Sequence, residues 1–315
     1  MIKKINISGW SHEEWEADRQ QRKTIGGSDA AAVLGLSKYA SPYSLWAQKT
    51  GMVVPEDISD KEAVRLGNDL EQYVAARWME ESGKKCRKDP YIWTNTDYPF
   101  AHANLDRMVT GERAFLECKT TSSYDILQRC RAGDYPEMWY CQMLHYCMVT
   151  GFRKAYLGVL VFGHGFFCFE LIPSEDEINA LARAEADFFD HVMTLTAPPV
   201  DGSKASISAI NSIYPDSSDG MQVDLSPVHT QIQIYTNLGR QIKELEAQQD
   251  AAKAAIQQYM GNAESGVFRG GKISWKTTER LTFDKKQFEA DQGTIDQKYF
   301  KKSQSRTFKV TVKEN

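Results

Sequence analysis

The chain has 315 residues, 42% of them hydrophobic and 25% charged, and a net charge of −4. That length gives a prior of about two domains with a core large enough to need no staple. The composition excludes a disordered, collagenous or fibrous chain, and no run approaches the roughly 18 apolar residues of a membrane span.

The N-terminal MIKKINISGWSHEEWE has two lysines and no apolar stretch, so no signal peptide is expected. The first 200 residues alternate helical and strand patterns. Helices are predicted over 11–22, 28–35, 42–50, 60–82, 123–132, 136–150 and 174–195, and strands over 90–94, 100–109, 114–120, 155–162 and 165–172. A strand cluster flanked by helices implies an α/β architecture around a small mixed sheet. The six cysteines, Cys86, Cys118, Cys130, Cys141, Cys147 and Cys168, contain no C-x-x-C pair. They suit free thiols in a reducing cytosol better than a disulfide framework.

A stretch rich in Ser, Pro, Asp and Gly over 197–228 marks the domain boundary. The predicted domains are 1–200, a linker over 201–228, and 229–315. The third part begins with a helix over 229–260, whose Tyr235, Leu238, Ile242, Leu245, Ala252, Ile256 and Tyr259 follow a 3-4 spacing. It is either a docked amphipathic helix or a coiled-coil arm. Beyond it, a strand pair is expected around Gly270-Gly271, with a further strand at Phe308, Val310 and Val312. Residues 226–315 carry 15 Lys/Arg against 10 Asp/Glu, so a basic tail follows an acidic body. From 266 onward there are 12 basic and 6 acidic residues with seven aromatics among them. Such a mixture suits either a nucleic-acid surface or a small β-rich cap with a solvated basic face.

The chemistry concentrates in FAHANLDRMVTGERAFLECKTT, residues 100–121. Two strand-like runs flank Gly111-Glu112, which suits a two-residue type II′ turn. That turn places Asp106 opposite Glu117, with Cβ atoms about 4.5–5.5 Å apart. Two carboxylates so placed repel each other unless a divalent cation lies between them. Lys119, two residues after Glu117, shares its face, while Cys118 points the other way. Asp106, Glu117 and Lys119 together can hold a metal ion and set an ammonium beside developing charge, which is what phosphodiester hydrolysis requires.

Three further segments bear on this cluster. Gly26-Gly27 lets backbone amides approach an anion, Ser28 or Asp29 can cap the helix that follows, and Arg22 can add a clamp. Glu71 shares a helical side with Gly67, so a close helix–sheet approach would bring it to the metal. Gln142 lies one turn before His145 on a largely apolar helix, where a buried amide needs a partner such as the lysine or a phosphate.

In their order, IGGSDAAAVLG, LGNDLEQ, ANLD, LECKTT and CQMLHY resemble the YqaJ-type phage recombination exonucleases, which are similar to the lambda exonuclease group of the PD-(D/E)xK nucleases. The resemblance covers about residues 10–195. It implies a PD-(D/E)xK nuclease core, a central mixed sheet flanked by helices, followed by the long helix and small basic β-rich region. It makes Glu71, Asp106 and Glu117 metal-binding acids, with the Cys118 carbonyl a further ligand. Lys119 becomes the lysine that positions the attacking water, and Gln142 the glutamine on the following helix. Ser28 and Arg22 match the 5′-phosphate pocket, although Gln21 holds the arginine's strict spacing and Leu105 replaces the usual proline. The implied activity is Mg²⁺-dependent, with Mn²⁺ as an alternative: 5′→3′ digestion of linear double-stranded DNA from its ends, leaving 3′ tails for a single-strand annealing protein. A homo-oligomeric ring, a phage or prophage origin and a bacterial cytoplasm are implied with it, and no membrane partner. An endonuclease of restriction or repair type on the same fold, and a non-catalytic DNA-binding or assembly module, are the alternatives.

Overall fold

The computed structural model describes residues 1–301 and 306–310. The chain divides into two compact units, Met1–Tyr214 and Pro215–Asn315. In chain order the first unit contains β1 (Ile2–Asn6), α1 (His12–Gln21), α2 (Gly27–Val33), α3 (Pro42–Lys49), α4 (Glu62–Ser82), β2 (Cys86–Lys88), β3 (Tyr91–Asn95), β4 (Tyr98–Asn104), β5 (Arg107–Val109), β6 (Phe115–Thr121), α5 (Tyr124–Arg131), α6 (Glu137–Thr150), β7 (Ala155–Val161), β8 (Gly165–Leu171), α7 (Glu175–Thr194) and α8 (Lys204–Ile213). The second contains α9 (His229–Met260), β9 (Ser265–Phe268), β10 (Gly271–Ser274) and α10 (Lys285–Gln292).

The strands of the first unit form two sheets, ordered β2-β5-β6-β7-β8 and β1-β3-β4. The larger is mixed: β6 and β7 run parallel, and its other pairs are antiparallel. Helices cover both of its faces, as the sequence predicts. Ala75 and Trp78 of α4 pack with Leu116, Tyr156, Val109 and Ala114 on one face. On the other, Phe115, Leu157, Val159 and Val161 join the main core with α2, α6 and α7. This division follows the two-residue alternation of β6 and β7, whose register pairs Phe115 with Ala155 and Glu117 with Leu157.

The run expected as one strand over 100–109 is two. β4 pairs with β3 in the smaller sheet, and β5 pairs with β2 and β6 in the larger. The chain crosses between sheets at Leu105-Asp106. The β5–β6 register is the expected one, Arg107 facing Leu116 and Met108 facing Phe115, but the tight turn is not. The Thr110 N–H bonds the Lys85 carbonyl instead of closing the hairpin, and the last β5–β6 bond runs from Val109 N to Ala114 O. The loop is therefore four residues long, with Gly111 in the left-handed region at φ +81°.

Residues 204–213, expected to be linker, form α8, which buries Ala209 in the main core and links Ser206 to Ser41 at 2.7 Å. The boundary consequently falls after Tyr214. β1, β2 and α10 also lie outside the predicted elements. In the second unit, the helix over 229–260 and the strand pair at Gly270-Gly271 are present. No residue of α9 is buried. Residues 306–310, expected to begin a terminal strand, are not in a strand, and Val312 lies outside the described residues.

One close approach fixes α2 on α6. A Cβ placed at Gly27 would lie 2.3 Å from Tyr146 Cε1, and Tyr146 is itself buried edge-on against Phe115. Gly27→Ala is expected to lower stability by about 1–3 kcal/mol, the usual cost of overpacking a filled core. Urea unfolding checks this, and a midpoint at or above that of the wild type would contradict the packing described.

Candidate active site

β6 carries the centre of the site. Its odd positions face α6, so Glu117 and Lys119 project together beneath Gln142 and Tyr146. Lys119 Nζ donates to Glu117 Oε1 at 2.6 Å and to Gln142 Oε1 at 2.9 Å. Gln142 passes the chain on, its Nε2 donating to the Tyr146 hydroxyl at 3.0 Å. The buried amide expected to need a partner thus has two. Cys118 points to the opposite face, against the α4 cluster, and all six cysteines are free thiols.

Asp106 lies one step beyond the β5–β6 ladder, where the chain turns away toward the smaller sheet. The Cys118 N–H therefore bonds the Asp106 side chain, donating to Oδ2 at 2.8 Å. This bond places Asp106 beside Glu117, as the register predicts. Loss of solvent, with the negative charges of Glu117 and Glu71 adding to it, raises the Asp106 pKa well above its ordinary value. Burial works against charge on Lys119, but Glu117 and Asp106 outweigh it and raise its pKa, so it is an ammonium.

The third acid implied by the resemblance is Glu71. It lies on α4, on the other side of the sheet, and its carboxylate is ion-paired with Arg107. Among the described residues, no three His, Cys, Asp or Glu side chains stand close enough to hold a metal ion by themselves. A cation is nevertheless suited to the site. Glu117 is 1% exposed, and its Oε2 is buried without a hydrogen-bond partner among the described residues. An orphan carboxylate oxygen beside a carboxyl that resists ionising is the charge pattern a divalent ion relieves. Asp106, Glu117 and the Cys118 carbonyl are the groups that would hold it.

The 22–29 segment meets the site through Tyr146. Ile25 bridges to Ala101 of β4, laying the segment along that strand. Thr24 Oγ1 is 2.9 Å from His102 Nδ1, and Lys49 Nζ donates to Thr24 O at 2.9 Å and pairs with Asp29 at 2.8 Å. Ser28 is exposed at the start of α2, while Arg22, just past the end of α1, is held bidentately by Asp18 of that helix. Burial, and then the charges of His145, Arg22 and Lys49, depress the His102 pKa to about 3, so its ring is neutral. Sequence reasoning missed Arg107, Tyr146, Lys49 and His102. Only Arg107, adjacent to Asp106, and Tyr146, one turn beyond Gln142, stand in motifs that point to them.

Residues 14–153 match the YqaJ-like viral recombinase domain. Over 307 residues the chain is 36% identical to the uncharacterized protein YqaJ of Bacillus subtilis (strain 168), covering 96% of this chain and 95% of that protein. The chain belongs to the YqaJ-like viral recombinase family. Its structure is similar to an alkaline exonuclease, LHK-Exo from Laribacter hongkongensis, with a TM-score of 0.48 and 19% identity over 58% of this chain and 93% of that one. It is also similar to a phage related exonuclease from Haemophilus somnus 129PT, with a TM-score of 0.41 and 12% identity over 55% and 96% of the two chains.

Behind the site of this family member lies a buried ion pair. His145 Nδ1 and Glu185 Oε1 are 2.7 Å apart and fully buried, and His145 Nε2 lies 2.9 Å from the His102 carbonyl. Burial opposes the imidazolium, but Glu185 outweighs it and raises the His145 pKa. The pair ties α6, which carries Gln142, to α7 and β4. Glu185→Ala leaves His145 without its counter-charge and is expected to lower stability by about 3–5 kcal/mol. Chemical denaturation at neutral pH measures it, and a loss below about 1 kcal/mol, within the range of an exposed pair, would contradict the buried pairing.

Proposed function

We propose that the protein is a divalent-metal-dependent DNA exonuclease acting in phage-type recombination. Support comes from the membership of a viral recombinase family together with one observation, the Asp106–Glu117–Lys119 cluster with its orphan carboxylate oxygen. In finer terms, the enzyme uses Mg²⁺, or Mn²⁺ in its place, and digests one strand of linear duplex DNA in the 5′→3′ direction. Its 3′ single-stranded product passes to an annealing protein, and the enzyme works as a homo-oligomer in a bacterial cytoplasm.

A divalent cation bound here supplies acidification of water and neutralisation of phosphate charge. The protein's own groups do the rest. Asp106 and Glu117 give the cation oxygen ligands, and the Cys118 N–H fixes the Asp106 carboxylate in place. Lys119, held from two sides, donates toward the attacking water or a phosphate oxygen. Gln142 orients it. Ser28, exposed at the α2 start, together with Arg22 once released from Asp18, receives the 5′-phosphate. The basic, aromatic-bearing stretch from residue 266 onward adds a surface for the DNA backbone.

The test is one linear duplex labelled at either end, with and without a 5′-phosphate, incubated with Mg²⁺ beside a closed circle. Release from the 5′ end only, faster with the phosphate, and an intact circle are expected. A cut circle would assign an endonuclease, and binding without cleavage a non-catalytic module. Asp106→Asn and Glu117→Gln are expected to abolish cleavage while duplex binding, read by gel shift, persists. Lys119→Ala is expected to lower the rate about 10²–10³-fold, the scale for losing one donor to developing charge, while retaining most metal affinity.

A further inference from the structure

Arg107 stands at the centre of the carboxylate cluster without belonging to the expected set. It pairs with Leu116 in the β5–β6 ladder, so its side chain leaves the sheet on the α4 face, opposite to Glu117 and Lys119. There Nη1 donates both to the Glu71 carboxylate and, at 2.7 Å, to the Asp106 carbonyl. The Arg107 side chain is only 9% exposed. The charges therefore sort themselves across the sheet. Glu117 is matched by Lys119 on one side and Glu71 by Arg107 on the other, while Asp106 has a backbone N–H partner and no ion-pair partner among the described residues.

Three carboxylates and two fixed cations leave one negative charge when all are ionised. A single divalent ion at Asp106 and Glu117 turns that to one positive charge, the complement of an incoming phosphodiester. A second ion would need Glu71, whose charge is already matched and whose oxygen already accepts a bond. We propose that Arg107 is the standing counter-ion of Glu71, holding it out of the metal shell so that the DNA-free protein takes up one divalent cation rather than two. Arg107 is thus a positioning residue that acts through Glu71. This rests on the metal-dependent reading given above.

The experiment is a Mn²⁺ titration of the metal-stripped full chain without DNA, counting bound ions from the loss of the free-Mn²⁺ electron paramagnetic resonance signal. One ion per wild-type chain is expected. Arg107→Met, similar in volume but uncharged, frees Glu71 and is expected to bind a second ion. Glu71→Gln leaves the guanidinium unopposed and is expected to weaken the single site by at least about tenfold, the scale for a unit charge several ångströms away. The double variant Arg107→Met/Glu71→Gln is expected to return to one ion at near wild-type affinity, a rescue that a merely structural arginine would not give. Should Arg107→Met fail to fold, judged by circular dichroism, Glu71→Gln and the double variant decide. Two ions in the wild type, one ion in a folded Arg107→Met, or an unchanged site in Glu71→Gln would overturn the inference. No Mn²⁺ bound by the wild type would overturn the metal-dependent reading itself, and this inference with it.

Discussion

The hydrogen bond from the Cys118 N–H to the Asp106 carboxylate is the constraint around which the site is arranged. At Leu105-Asp106 the chain leaves one sheet for the other, and β6 loses the backbone acceptor that a continuing partner strand would supply. A buried N–H without an acceptor is costly. The Asp106 side chain fills that role and is fixed next to Glu117. A carboxylate therefore completes a sheet, and the same geometry sets it against a second carboxylate in poor contact with water. Burial, and then the neighbouring carboxylates, raise the Asp106 pKa, and the Glu117 Oε2 has no hydrogen-bond partner among the described residues.

The two faces of β6 then divide the work. Toward α6 runs a chain of donors and acceptors from Lys119 through Gln142 to Tyr146, whose ring packs close against Gly27. Toward α4 runs the Arg107–Glu71 pair. The first line joins the carboxylates to the 22–29 segment, where an anion would be received. The second neutralises an acid that would otherwise compete for cations. His145 and Glu185 anchor α6 from behind, so the position of Gln142 depends on a buried ion pair as well as on apolar packing.

Much of this was legible in the sequence because period-two alternation is local. Glu117 and Lys119 share a face whatever the rest of the chain does, and an even-length loop kept Asp106 in register even though the turn itself differed. The helices carrying Glu71 and Gln142 were legible from their apolar spacing. What escaped had non-local causes. The break at Leu105 depends on β4 pairing with β3 in a second sheet, whose far edge is β1, a fully exposed strand with little apolar signal. α8 sits in a Ser-rich stretch whose burial rests on two residues, Ser206 and Ala209. Glu71 was legible as a helix residue near the sheet, but its ion pair with Arg107 was not, because helix phase alone does not show which face of a strand the helix covers.

Transplantation shows what the hydrogen-bond chain through α6 entails. A β6 strand moved alone into another α/β scaffold would carry Glu117 and Lys119 with the correct spacing and lose the Gln142 oxygen that holds the ammonium from the α6 side. It would lose as well the sheet crossing that delivers Asp106. The smallest portable version of this chemistry is thus a block of three pieces: the crossing at residues 104–107, the strand, and the helix above it. A lineage could remodel the loops around that block freely, but could not exchange its parts one at a time.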